Sequence, residues 1–95
     1  MRNGGTAEVI SQLAPDMPTE QASHSRETTN QLLASAESNL RVASNRSLNV
    51  DQRAMVDQIR VFMEQSNAAL KSGDLQRGHN LAVKALLLSK DLVKY

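Results

Sequence analysis

The chain of 95 residues contains no cysteine and no tryptophan, and its aromatic residues are limited to Phe62 and Tyr95. The absence of cysteine excludes disulfide bonds, thiolate metal ligands and a cysteine nucleophile. With so few aromatic residues the core must be aliphatic, which favours closely packed helices over a sheet. A chain of this length forms one domain at most.

Neither sign of charge predominates, and no long apolar run occurs. Eleven basic and ten acidic residues leave a net charge of +1. Residues 1–25 carry −2 and residues 26–95 carry +3, which is far from the dense basic surface typical of nucleic-acid-binding proteins. Without a long apolar run we expect neither a signal peptide nor a membrane span.

The remaining sequence divides into a polar segment and three periodic segments. Residues 1–25 hold both prolines, Pro15 and Pro18, and are predicted to be a flexible tail or linker. Apolar periodicity then predicts helices over residues 26–43, 50–72 and 74–94, with Ser25 as the first N-cap, or Thr28 or Thr29 if the helix starts later. Short connections make consecutive helices antiparallel, so the predicted fold is an all-α, three-helix antiparallel bundle.

The most informative stretch is Ser72-Gly73-Asp74-Leu75, which combines a helix stop with a helix start. Gly73 can take the left-handed conformation that ends a helix, and Asp74 can cap the next helix. Asn49 is the predicted cap of the second helix, with Gln52 completing a capping box.

The apolar stripes predict how the helices pack. The second helix has two adjacent apolar stripes and is therefore predicted to contact two neighbours and to be central. The first stripe consists of Met55, Ile59, Phe62, Ser66 and Ala69. The second stripe consists of Val56, Met63 and Leu70. The third helix has a strip of mostly small residues that includes Gly78. A glycine within a helix costs about 1 kcal/mol relative to alanine, so Gly78 predicts close packing against the second helix. The run Leu86-Leu87-Leu88 cannot all face one neighbour, which predicts that at least one of these leucines is partly exposed.

No set of residues resembles a catalytic or metal-binding site. His24 lies in the predicted tail and is interpreted as part of a polar segment. His79 lies off the small-residue strip and is interpreted as a surface or groove-edge histidine, because no second histidine is placed to complete a metal site. We therefore expect no enzymatic activity, no cofactor, no metal ion and no small-molecule substrate.

The stretch from Ala68 to Leu88 resembles the second half of a tetratricopeptide repeat. Gly73-Asp74-Leu75 matches the turn of that family, Gly78 stands where the family has alanine, and Ala85 matches a later small position. Phe62 falls at the family's large aromatic position, whereas Ser66 and Ala69 replace the usual glycine and tyrosine. The resemblance implies binding of a protein or peptide partner and no chemistry. Residues 29–95 are also similar to helical segments of bacterial proteins, which implies no function.

These observations predict a non-enzymatic helical interaction or assembly module. The predicted partner contacts are Phe62, Met63, Arg77, His79 and Leu87. One alternative is a structural protein that associates with itself through its leucine-rich third helix. Another is a weak nucleic-acid binder that uses the +3 charge of residues 26–95, although the sequence lacks the stacking aromatics typical of that function.

Overall fold

The structure, a computed structural model, describes residues 19–94. Over this range the chain forms three helices, α1 (Thr19–Ser44), α2 (Val50–Lys71) and α3 (Leu75–Lys94), and no strand. The predicted all-α, three-helix fold is therefore confirmed.

Helix α1 begins at Thr19, seven residues before the predicted start at Arg26. Ser25 is not an N-cap but lies half-buried inside the helix, and Thr29 is fully buried. The buried face of α1 continues towards the N-terminus through small polar residues, so hydrophobicity alone does not reveal it. The rest of the predicted tail, residues 1–18, lies outside the described residues.

A capping box fixes the start of α2, as predicted. The side chain of Asn49 accepts a hydrogen bond from the backbone N–H of Gln52 at 2.8 Å, and the Asn49 N–H donates to the Gln52 side chain at 2.9 Å. These two bonds satisfy donors that the first turn of a helix leaves free.

The turn between α2 and α3 also has the predicted geometry. Gly73 has φ +87°, in the left-handed region, and its N–H donates to the carbonyl of Leu70 at 3.1 Å. The N–H of Asp74 donates to the carbonyl of Ala69 at 2.8 Å, while its carboxylate accepts from the N–H of Arg77 at 3.2 Å. One turn thus closes α2 and caps α3.

The central helix is α3, and the prediction that the second helix is central is wrong. Helix α3 packs along both α1 and α2, whereas α1 and α2 barely touch each other. Asn39 contacts Ser89 and Arg46 contacts Val93, so α1 and α3 run parallel. Consecutive helices are antiparallel: Ser66, near the end of α2, contacts Gly78, near the start of α3.

Small residues allow α3 to approach two neighbours. Gly78, Ala82, Ala85 and Ser89 are all buried along it. A Cβ atom at Gly78 would lie 2.8 Å from Leu70 Cδ2 and 3.3 Å from the Ser66 carbonyl oxygen. The close packing that Gly78 predicts against α2 is therefore present. The main core cluster takes residues from all three helices: Ala36, Leu40, Ala43, Ile59, Ala85 and Leu92.

Two arginines of the first helical segment bind the C-terminal ends of the other helices. Arg26 donates from Nη1 to the carbonyl of Leu70 near the end of α2 at 2.9 Å. Arg46, just after α1, donates from Nη1 to the carbonyl of Val93 near the end of α3 at 3.0 Å. The last carbonyls of a helix lack partners within the helix and carry its partial negative charge. These contacts therefore hold α1 to the hairpin at both ends.

Candidate functional site at the outer face of α3

The side of α3 that points away from the core forms the outer face, defined as Val83, Lys84, Leu87, Lys90, Asp91 and Lys94. Helical spacing places all of these residues within three, four or seven positions of Leu87. Leu87 is 57% exposed, Val83 is half-buried and the four charged residues are exposed. Leu86 and Leu88 are half-buried, so Leu87 is the member of the leucine run that faces outward, as the sequence predicts for at least one of the three.

Basic side chains surround Leu87. Lys90 lies one turn after it, and Lys84 one turn before it. Lys94 Nζ lies 3.7 Å from Asp91 Oδ1, but both side chains are largely exposed, and such pairs contribute little to stability. The ammonium group of Lys84 lies 5.7 Å from the centroid of the Phe62 ring, within the range of a cation–π contact.

The five predicted contact residues are not on one surface. Phe62 is half-buried against the core and beneath Lys84. Arg77 is exposed in the first turn of α3, in a shallow depression that it shares with Lys84. Met63 is half-buried on α2, beside Arg60 in another depression. Of the five, only Leu87 belongs to the outer face.

His79 and His24 line one open cleft between α1 and α3. The cleft has a volume of about 510 Å³, and its other lining residues are Gln21, Ser25, Thr28 and Gln76. His79 is half-buried, which fits the predicted groove edge. His24 belongs to α1 and not to a tail, and it lines the same cleft as His79, so the prediction that no second histidine lies near His79 is wrong. Sequence reasoning missed the pair because it depends on the early start of α1 and on the parallel arrangement of α1 and α3.

The cleft contains two histidines, which are fewer ligands than a protein metal site normally has. Residues 19–94 contain no group of three or more histidine, cysteine, aspartate or glutamate side chains that could hold a metal ion. The cleft is lined by amide, hydroxyl and imidazole groups. Such groups can donate hydrogen bonds to water or to a polar ligand and can accept hydrogen bonds from them.

None of the helices in the described part of the chain has the length and apolar character needed to cross a membrane. Comparisons with protein-family models, curated proteins and solved structures gave no match to this chain.

Proposed function

We propose that this chain is a non-enzymatic helical module that binds a protein partner through the outer face of α3. The observation that carries the proposal is the 57% exposure of Leu87 on the helix that both neighbours pack against. Fully burying a leucine contributes about 1.5–3 kcal/mol, so a partner that covers Leu87 gains roughly half of that amount from this side chain alone.

Two further observations support the proposal. Val83 lies one turn before Leu87 and is only half-buried, so the two form a short apolar ridge of the kind that a partner helix contacts. The resemblance of the α2–α3 hairpin to a tetratricopeptide repeat, a family that binds proteins and peptides, agrees with this function. We therefore retain Leu87 as the main predicted contact.

A second candidate is self-association, in which the outer face binds the outer face of another copy. Sedimentation equilibrium over a wide range of concentrations separates the two candidates. A species of 10.4 kDa at all concentrations supports an external partner. A concentration-dependent dimer supports self-association, provided that Leu87→Ser abolishes it.

Val61→Ser is the matched control for that measurement. Val61 is a large aliphatic residue that is 43% exposed on α2, outside the outer face. If Val61→Ser disrupts a dimer as strongly as Leu87→Ser does, the outer face of α3 is not the interface. If Leu87→Ser lowers the helix content measured by circular dichroism, Leu87 supports the fold and the proposal loses its basis.

A further inference from the structure

The positive charge of the described residues is concentrated on α3. Helix α3 carries one acidic residue, Asp91, and four basic residues, so its net charge is +3. The basic residues are Arg77, Lys84, Lys90 and Lys94. Residues 19–74 carry six basic and seven acidic residues and are close to balance. All five charged residues of α3 are exposed, and four of them belong to the outer face.

We propose that the outer face binds an acidic amphipathic helix of a partner protein. This inference rests on the proposed function and adds the chemistry of the partner. Leu87 and Val83 lie one turn apart, so an apolar pair at the same spacing on a partner helix can pack against them. Carboxylates beside that apolar pair then lie close to Lys84 and Lys90 and complement their charge.

The two parts of this interface have different roles. Exposed ion pairs contribute less than about a factor of five each to affinity and weaken as salt increases. Burial of Leu87 is the largest contribution from any one side chain, whereas the lysines select the sign of the partner's charge and accelerate association. Binding is therefore expected to weaken with ionic strength but not to disappear at physiological salt.

A second copy of this chain is a poor match for the outer face. Two outer faces that meet antiparallel at Leu87 place Lys84 of one copy opposite Lys90 of the other, and like charges at such close range repel. The other described helices carry no comparable negative excess: α2 has three acidic and three basic residues, and α1 has three acidic and two basic residues. Since no helix of residues 19–94 offers the complementary charge, we assign the acidic helix to a different protein.

The face also fits a protein helix better than a lipid surface or a nucleic acid. It has one largely exposed leucine and no aromatic residue, which is too little apolar surface for a helix that lies in a membrane interface. Nucleic-acid-binding surfaces combine basic residues with stacking aromatics, whereas here an aliphatic residue occupies the centre. These two classes are outcomes of the test below.

The experiment is a selection of helical peptides on the full chain. The library fixes leucines at i, i+4 spacing and randomises the flanking positions among Glu, Lys, Gln and Ala, with Leu87→Ser as the counter-selection bait. We expect the peptides that are enriched at 150 mM NaCl to be acidic. We expect Leu87→Ser to weaken binding about 10-fold or more and Lys90→Glu to weaken it about 5-fold.

Lys71→Glu is the matched control, because Lys71 is an exposed lysine at the end of α2, outside the outer face; its effect should stay within about twofold. Enrichment of neutral or basic peptides that still depend on Leu87 would overturn the acidic partner but leave the proposed function standing. If no peptide depends on Leu87, both proposals fail. Tighter binding to phosphatidylserine vesicles or to a 20-base DNA strand than to any selected peptide would replace the protein partner with a membrane or a nucleic acid.

Discussion

Gly78 provides the strictest test of the packing between α2 and α3. A Cβ atom at this position would lie 2.8 Å from Leu70 Cδ2 and 3.1 Å from Leu70 Cγ, whereas unstrained carbon contacts are about 3.5–4.0 Å. Leu70 is 6% exposed and cannot simply turn into solvent, and the third close atom is the backbone oxygen of Ser66. Admitting a side chain therefore requires α2 to move or Leu70 to change rotamer.

The size of the effect follows from two opposing contributions. Overpacking costs about 1–3 kcal/mol, while replacing a helical glycine with alanine gains about 1 kcal/mol in helix propensity. We expect Gly78→Ala to destabilise the fold by about 0–2 kcal/mol. Gly78→Leu adds three more carbons towards α2 and should cost about 3 kcal/mol. This is a large part of the roughly 5–15 kcal/mol that stabilises a whole domain.

Urea unfolding followed by circular dichroism measures these differences. Asn80→Leu is the control, because it places the same side chain at an exposed position of α3 and should change stability by no more than about 0.5 kcal/mol. In a double-mutant cycle, Leu70→Ala should relieve part of the cost of Gly78→Ala, since it removes the two nearest atoms. If Gly78→Leu is as stable as the unmodified chain, the contact with α2 described above does not exist.

Three other predictions concern single contacts, each measured by the same unfolding assay. Arg26→Ala should cost about 1 kcal/mol because the carbonyl of Leu70 loses one of its donors and keeps the N–H of Gly73. Arg41→Ala, which removes an exposed pair on the same helix, should be nearly neutral; equal effects would contradict the role of Arg26. Asn49→Ala should cost about 1 kcal/mol through loss of the capping bonds, and an unchanged midpoint would mean that water replaces them fully. Thr29→Val should stabilise the fold by about 1 kcal/mol, because the buried Thr29 Oγ1 has no hydrogen-bond partner among residues 19–94; destabilisation would show that this hydroxyl is satisfied.

Local signals in the sequence predicted local structure well. The turn at Gly73 and Asp74 and the capping box at Asn49 were both correct, because each depends on the chemistry of a few adjacent residues. The interpretation of Gly78 as a site of close packing was also correct. A glycine inside a helix lowers the stability of that helix, so its presence indicates that a neighbouring element leaves no space for a side chain.

The arrangement of the helices was harder to predict because it depends on side-chain size as well as hydrophobicity. Helix α2 carries two adjacent apolar stripes, which indicated a central position, yet residues of its second stripe such as Val56 and Met63 remain half-buried. Helix α3 occupies the centre because Gly78, Ala82 and Ala85 leave room for two neighbours. Similarly, α1 begins with polar residues such as Ser25, which made its first turns look like part of the polar segment.

The candidate site could be predicted only in part. The run of three leucines indicated that one of them faces outward, and helical spacing identifies the lysines around it. The sequence did not predict the cleft that His24 and His79 line, because the two histidines lie on helices that are distant in the chain and are brought together only by the parallel packing of α1 and α3.

The helix that both others pack against is the last of the three described helices to be synthesised. Asn39 of α1 binds Ser89 of α3 across 50 positions of sequence, so α1 emerges from the ribosome long before the surface that covers it. The α2–α3 hairpin closes through a short turn and can form first, because local contacts need little loop closure. Until that hairpin is complete, the apolar face of α1 lacks the α3 surface that covers it, so α1 can dock only after residues 75–94 have been synthesised.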